Sequence, residues 1–149
     1  MDLNFSKILL LLYIKDQNIF NEYNGLPEAS TILEILLNDV DLDRRKILNT
    51  ALTLKALRYK MPESIWKEFE GVNVITENNI VKQFNISEAI LSNNRAEAIF
   101  EILDILYNKD SHKKANYYGI YESINALYDL GLENYARNYG FEKNLGLIN

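Results

Sequence analysis

With 149 residues, 48% apolar and 25% charged, the chain has the length and composition of one ordinary globular domain spanning residues 1–149. A net charge of −5 and a pI near 4.9 disfavour a general polyanion binder, because phosphate contacts draw on lysine and arginine in excess. The lack of cysteine excludes disulfides, a thiolate nucleophile and cysteine-ligated zinc, and it fits a reducing, cytoplasmic setting.

The first predicted helix covers Asn4 to Asp16. Phe5, Ile8, Leu9, Leu12 and Tyr13 recur at i, i+3, i+4, i+7 and i+8, the spacing of one helical face, and this face is expected to look into the core. The apolar run Ile8–Ile14 is far short of the roughly 20 residues of a membrane span. It equals the shortest secretory core segment, but no small-residue cleavage site follows. Gln17 to Gly25 is polar and turn-rich. Pro27 suits the first turn of a second helix ending near Asn38, with Ala29, Ile32, Leu33 and Leu36 on one side.

Asp41 or Asp43 can cap a third helix that runs to about Lys60. Its apolar residues (Ile47, Leu48, Ala51, Leu52, Leu54, Ala56, Leu57) occupy most of the circumference, which marks it as the spine of the first half. Pro62 ends that helix and opens a short one to Glu70, closed by Gly71. Val72–Ile75 alternates as a short extended stretch. Thr76 caps a helix holding Ile80, Val81 and Phe84, and Ser87 caps a turn through Leu91.

From Arg95 onward one apolar template recurs three times. Ala96, Ile99, Phe100, Leu103, Leu106 and Tyr107 share their offsets with Tyr117, Ile120, Tyr121, Ile124, Leu127 and Tyr128. Leu132, Tyr135, Ala136 and Tyr139 repeat the first four. Asn94 with Glu97 forms a capping box ahead of the first copy. The loop Asn108–Lys114 precedes the second copy, which starts near Asn116, and Gly131 separates the second from the third. The segment therefore reads as consecutive antiparallel helices, the last one running from Leu132 to about Asn144. The copies begin 21 and 15 residues apart, which matches no standard repeat length.

Reactive constellations fail on their own geometry. Asp39, Asp41 and Asp43 begin like a calcium loop, but its sixth and twelfth positions hold Arg44 and Thr50 where glycine and glutamate are needed. They read instead as acids at a helix N-terminus. His112, the one histidine, sits among charged loop residues, and one ligand cannot make a histidine metal site. No glycine-rich phosphate loop is present. Glu34 and Glu101 interrupt apolar runs, but helical rotation turns both to solvent. No catalytic, metal or cofactor site is assigned.

Two surfaces carry binding potential. Arg44, Lys55 and Arg58 are spaced by 11 and 3 and share a face of the third helix. That stripe could contact nucleic acid or an acidic protein, or be matched internally by Glu63, Glu68 and Glu70. Nucleic acid is the disfavoured partner of the two. The second surface is tyrosine-rich: Tyr117, Tyr121, Tyr128, Tyr135 and Tyr139 place apolar rings with polar tips where a core rim or a protein interface would use them.

The tail Leu127–Glu142 carries a Leu130-Gly131-Leu132 turn, then the pair Ala136-Arg137, then Glu142. In this it resembles the end of uncharacterised α-helical repeat proteins of alphaproteobacteria. Tyr135 stands where those proteins have an acidic residue. The resemblance implies a bacterial source and α-solenoid-like packing, and it brings no known active residues.

The expectation is thus an all-α chain of seven to eight helices, arranged as an antiparallel array, solenoid-like or an irregular bundle. Its expected role is that of a non-enzymatic module binding a protein partner, a second copy of itself included, through the tyrosine face. No cofactor and no membrane span are expected.

Overall fold

The computed structural model describes residues 1–70, 72, 88–107 and 117–149. Among them are eight α-helices and no strand: α1 (Leu3–Lys15), α2 (Asn18–Glu22), α3 (Ala29–Leu37), α4 (Arg44–Ala56), α5 (Glu63–Lys67), α6 (Arg95–Tyr107), α7 (Tyr117–Asp129) and α8 (Glu133–Asn144), followed by a 3₁₀ turn at Leu145–Leu147. The fold is all-helical, as expected. The Thr76-capped helix, the Ser87 cap, Gly71 and the loop with His112 lie outside the described residues, and so does all of the Val72–Ile75 stretch except Val72.

Local chemistry sets the helix ends. Asp2 accepts from the Phe5 amide at 3.0 Å and Asp43 from the Arg45 amide at 2.9 Å, so α1 and α4 start on carboxylate caps. Asn94 accepts from the Glu97 amide, and its own amide group donates to the Glu97 carboxylate at 2.7 Å, which fixes the start of α6. Three helical segments end in the same left-handed turn. At Gly131 (φ 76°) the Leu132 amide returns to the Leu127 carbonyl, and at Asn93 (φ 58°), which follows a helical turn at residues 88–91, the Asn94 amide returns to that of Ala89. The third is at Arg58 (φ 72°), where the Tyr59 amide returns to Leu54; this turn ends α4 before the expected Lys60. In the predicted turn-rich stretch Asp16 accepts from the Asn18 amide and starts the short α2, which the sequence reading missed.

Side-chain links fix the directions of the main helices. The Tyr59 hydroxyl donates to the Tyr13 carbonyl at 2.6 Å, bringing the C-terminal ends of α1 and α4 together. Arg58 pairs with Asp129, joining the ends of α4 and α7. Asn144 bonds Thr50 and Thr53, so α8 runs the other way. Three co-directional helices thus enclose an antiparallel fourth. At their centre a methyl group on Gly140 would lie 2.9 Å from Thr53 Cγ2 and 3.3 Å from both Ile124 Cδ1 and Ile14 Cγ2. Only a residue without Cβ permits that approach. The α4 helix touches α1, α3, α7, α8 and the terminal turn, as expected of a spine. Arg95 donates to the Leu130 carbonyl at 2.7 Å, so α6, α7 and α8 alternate in direction as the template implied.

The core is continuous from Leu9 to Leu147, but the expected faces need correction. On α1, Leu9 and Tyr13 are buried as expected, whereas Phe5, Ile8 and Leu12 are 50%, 48% and 40% exposed; Ser6, Leu10, Leu11 and Ile14 fill the interior instead. A helix apolar on nearly every side fits several equivalent face patterns, and the spacing rule cannot choose among them. On α6, Ala98 and Ile102 are buried while Phe100 faces out, because this edge helix packs among the described elements on α7. On α8 the buried line is Ala136, Arg137, Gly140 and Asn144, of which only Ala136 belongs to the recurring template.

Candidate interaction surfaces and the polar interior

Two polar hubs lock α8 in place. Asn144, 2% exposed, uses all four hydrogen-bonding positions of its amide. Its oxygen accepts from Asn49 at 3.1 Å and Thr50 at 2.8 Å; its nitrogen donates to Thr53 and to the Gly140 carbonyl, both at 2.8 Å. Asn49 also donates to the Lys143 carbonyl at 3.0 Å. The second hub is Arg137, 5% exposed. Its guanidinium donates to the Tyr13 and Ile14 carbonyls at 3.2 and 3.1 Å, to Gln17 at 3.1 Å and to Glu133 at 2.8 Å. Tyr13 and Ile14 end α1, so a fixed positive charge caps the negative end of that helix dipole. Tyr13 and Tyr59 stack beside it with centroids 6.2 Å apart, and the Tyr13 hydroxyl donates to the Pro27 carbonyl at 2.9 Å. Sequence reasoning missed both hubs. It tracked apolar spacing, and a buried Asn or Arg breaks that spacing. The one available signal was the Gly140–Asn144 step on a helix otherwise poor in aliphatic residues.

The five tyrosines divide between two helices. Tyr117, Tyr121 and Tyr128 run along α7, half-buried beside a seam made by Gly119, Ser123, Ala126 and Leu127. The Arg58 guanidinium lies 5.0 Å from the Tyr128 ring centre. Tyr117 sits at the other end of α7, within the fields of Asp43 and Arg45. On α8, Tyr135 is 68% exposed, while Tyr139 one turn further on is half-buried with Lys143 5.5 Å from its ring centre. Burial raises the phenol pKa of Tyr117, Tyr121 and, most strongly, Tyr139 above the ordinary 10.0; nearby Glu122 adds to the rise at Tyr121 and Glu142 to that at Tyr139. These rings are therefore neutral at physiological pH.

The basic residues do not form one helical stripe, because Arg58 lies beyond the end of α4 in the left-handed turn. Each is also engaged within the chain. Arg44 donates to the Glu68 carbonyl at 2.8 Å and lies 3.5 Å from its carboxylate. Lys55 is 4.8 Å from the Trp66 ring centre, a cation–π contact. Arg58 binds Asp129 and Asn125. In the aspartate run, Asp39 and Asp43 accept from the amides of Asp41 and Arg45, so both serve the local backbone.

A further apolar surface lies on α1. Phe5, Ile8 and Leu12 are 50%, 48% and 40% exposed and fall on one arc of the helix, and Met1, ahead of the Asp2 cap, is 54% exposed. No described helix is long and apolar enough to cross a membrane. Compared with known proteins, the chain matches no family model, no curated protein and no solved structure.

Proposed function

We propose that this chain is a non-enzymatic interaction or scaffold module, acting in the cytoplasm, that binds protein through its exposed helix faces, with Tyr135 and Tyr139 at the centre of one such face. The observation that carries this reading is the outward position of Tyr135 on a helix whose opposite side is immobilised by Arg137, Gly140 and Asn144. A large ring held on a rigid element loses little entropy on binding, and such rings concentrate interface energy. The likeness of the tail to helical repeat proteins belongs to the same reading, since those folds present exposed helix faces. The internal engagement of Arg44, Lys55 and Arg58 gives the basic-face alternative no comparable support.

The test is affinity capture from lysate of the source cell with the wild-type chain and with Tyr135→Ala, alone and combined with Tyr139→Phe. Tyr135 is a solvent-facing position, so its loss is expected to leave thermal stability within about 0.5 kcal/mol. Proteins captured by the wild type and lost with Tyr135→Ala support the reading. Identical sets from all three chains overturn it for this face.

A further inference from the structure

Over Ile8–Ile14 the α1 helix is apolar around nearly its whole circumference, a pattern that belongs to helices covered on every side. Here α3, α4 and α8 cover most of it, yet Phe5, Ile8 and Leu12 face outward. Their steps of three and four are those of a coiled-coil seam, the spacing that lets one helix lie along another. On the flank of α8 that meets α1, Lys15 sits 5.3 Å from the ring centre of Phe141, and Leu145, one turn past Phe141, is 39% exposed. The apolar strip thus extends from α1 toward the end of α8.

We propose that this strip is the seam of a weak homodimer in which the α1 helices of two copies pack antiparallel across a two-fold axis near Ile8. Charge selects both the occupant and the direction. The seam has Asp2 at one end and Lys15 at the other, so an antiparallel copy sets Asp2 against the partner's Lys15 twice, and opposes the two helix dipoles favourably. A parallel copy would set like charges against each other at both ends. The strip is also symmetric about its middle: Phe5 meets the partner's Leu12, and Ile8 lies beside the partner's Ile8. Three half-exposed side chains offer on the order of 300 Å² per copy. That is well under half of the ~800 Å² per partner in a standard stable interface, which makes the pairing transient and dependent on concentration.

This inference extends the interaction reading to a second surface, and the two fail separately, because substitutions at Ile8 leave Tyr135 and Tyr139 untouched. Sedimentation equilibrium of the full chain from micromolar to millimolar concentration should show a reversible monomer–dimer equilibrium. Ile8→Glu should raise the dissociation constant at least about tenfold while leaving the circular dichroism spectrum and melting temperature unchanged. The chain has no native cysteine, so introduced ones report on geometry without background. Ile8→Cys should oxidise to a disulfide dimer. Phe5→Cys and Leu12→Cys should cross-link when mixed, and neither should do so alone. A chain that stays monomeric to millimolar concentration overturns the proposal and leaves the seam to a helix from another protein. Efficient self-cross-linking of Phe5→Cys overturns the antiparallel arrangement.

Discussion

Gly140 and Thr53 meet so closely that their fit can be measured as a pair. Gly140→Ala places a methyl 2.9 Å from Thr53 Cγ2, and overpacking of this kind costs about 1–3 kcal/mol. Thr53→Ser removes that methyl but keeps the hydroxyl that accepts from Asn144. The double variant should therefore recover much of the loss, and urea denaturation of the four chains of the cycle measures the coupling. Arg137 permits a second comparison. Its removal takes the side-chain donor from the Ile14 carbonyl and leaves the Tyr13 carbonyl with the Tyr59 hydroxyl alone, so Arg137→Met should cost about 3 kcal/mol. Glu133 is nearly half exposed, and Glu133→Gln should cost under about 1 kcal/mol. Equal losses would mean that the ion pair, rather than the carbonyl bonds, anchors this residue.

The ends of the helices were more legible in the sequence than their faces. Asp43, the Asn94–Glu97 box, Pro62 and Gly131 announce boundaries through local hydrogen bonds and backbone preferences, which act within a few residues and so show in a short window. Which side of α1 is buried depends instead on where α3, α4 and α8 sit, and no local pattern encodes that. Beyond the Gly140–Asn144 step, the buried Arg137 and Asn144 left no local trace for the same reason: their partners lie on α1 and α4, far away in sequence. Arg58 combines both cases. It occupies the left-handed position that ends α4, where glycine is the easy choice, and its side chain reaches α7. Arg58→Gly gives up the reach but relieves the backbone; Arg58→Ala gives up the reach and keeps the strain. The alanine variant should be the less stable by about 1 kcal/mol, readable from paired thermal melts.

Across the whole molecule, ionisation of the phenols sets an alkaline limit. Tyr13, Tyr59, Tyr117, Tyr121 and Tyr139 all have pKa values raised above 10.0, each chiefly by burial; at Tyr59 the neighbouring Arg137 charge offsets part of the rise. Below pH about 10 the phenols are neutral in both folded and unfolded chains, and their contribution is fully present. As pH rises past that value the unfolded chain gives up its phenolic protons first, and stability must fall. Melting temperatures taken from pH 8 to 11 should be level to about pH 10 in this respect and then drop. Tyr139→Phe should soften the drop, and an unchanged slope in that variant would mean that Tyr139 ionises freely.

The Arg137 guanidinium holds a carbonyl 124 residues earlier in the chain. During synthesis on the ribosome, α1 emerges with α3 and α4 soon after it but long before α8, so one of its three covers arrives late. Closing so long a loop makes the docking of α8 on α1 a late, non-local step of folding.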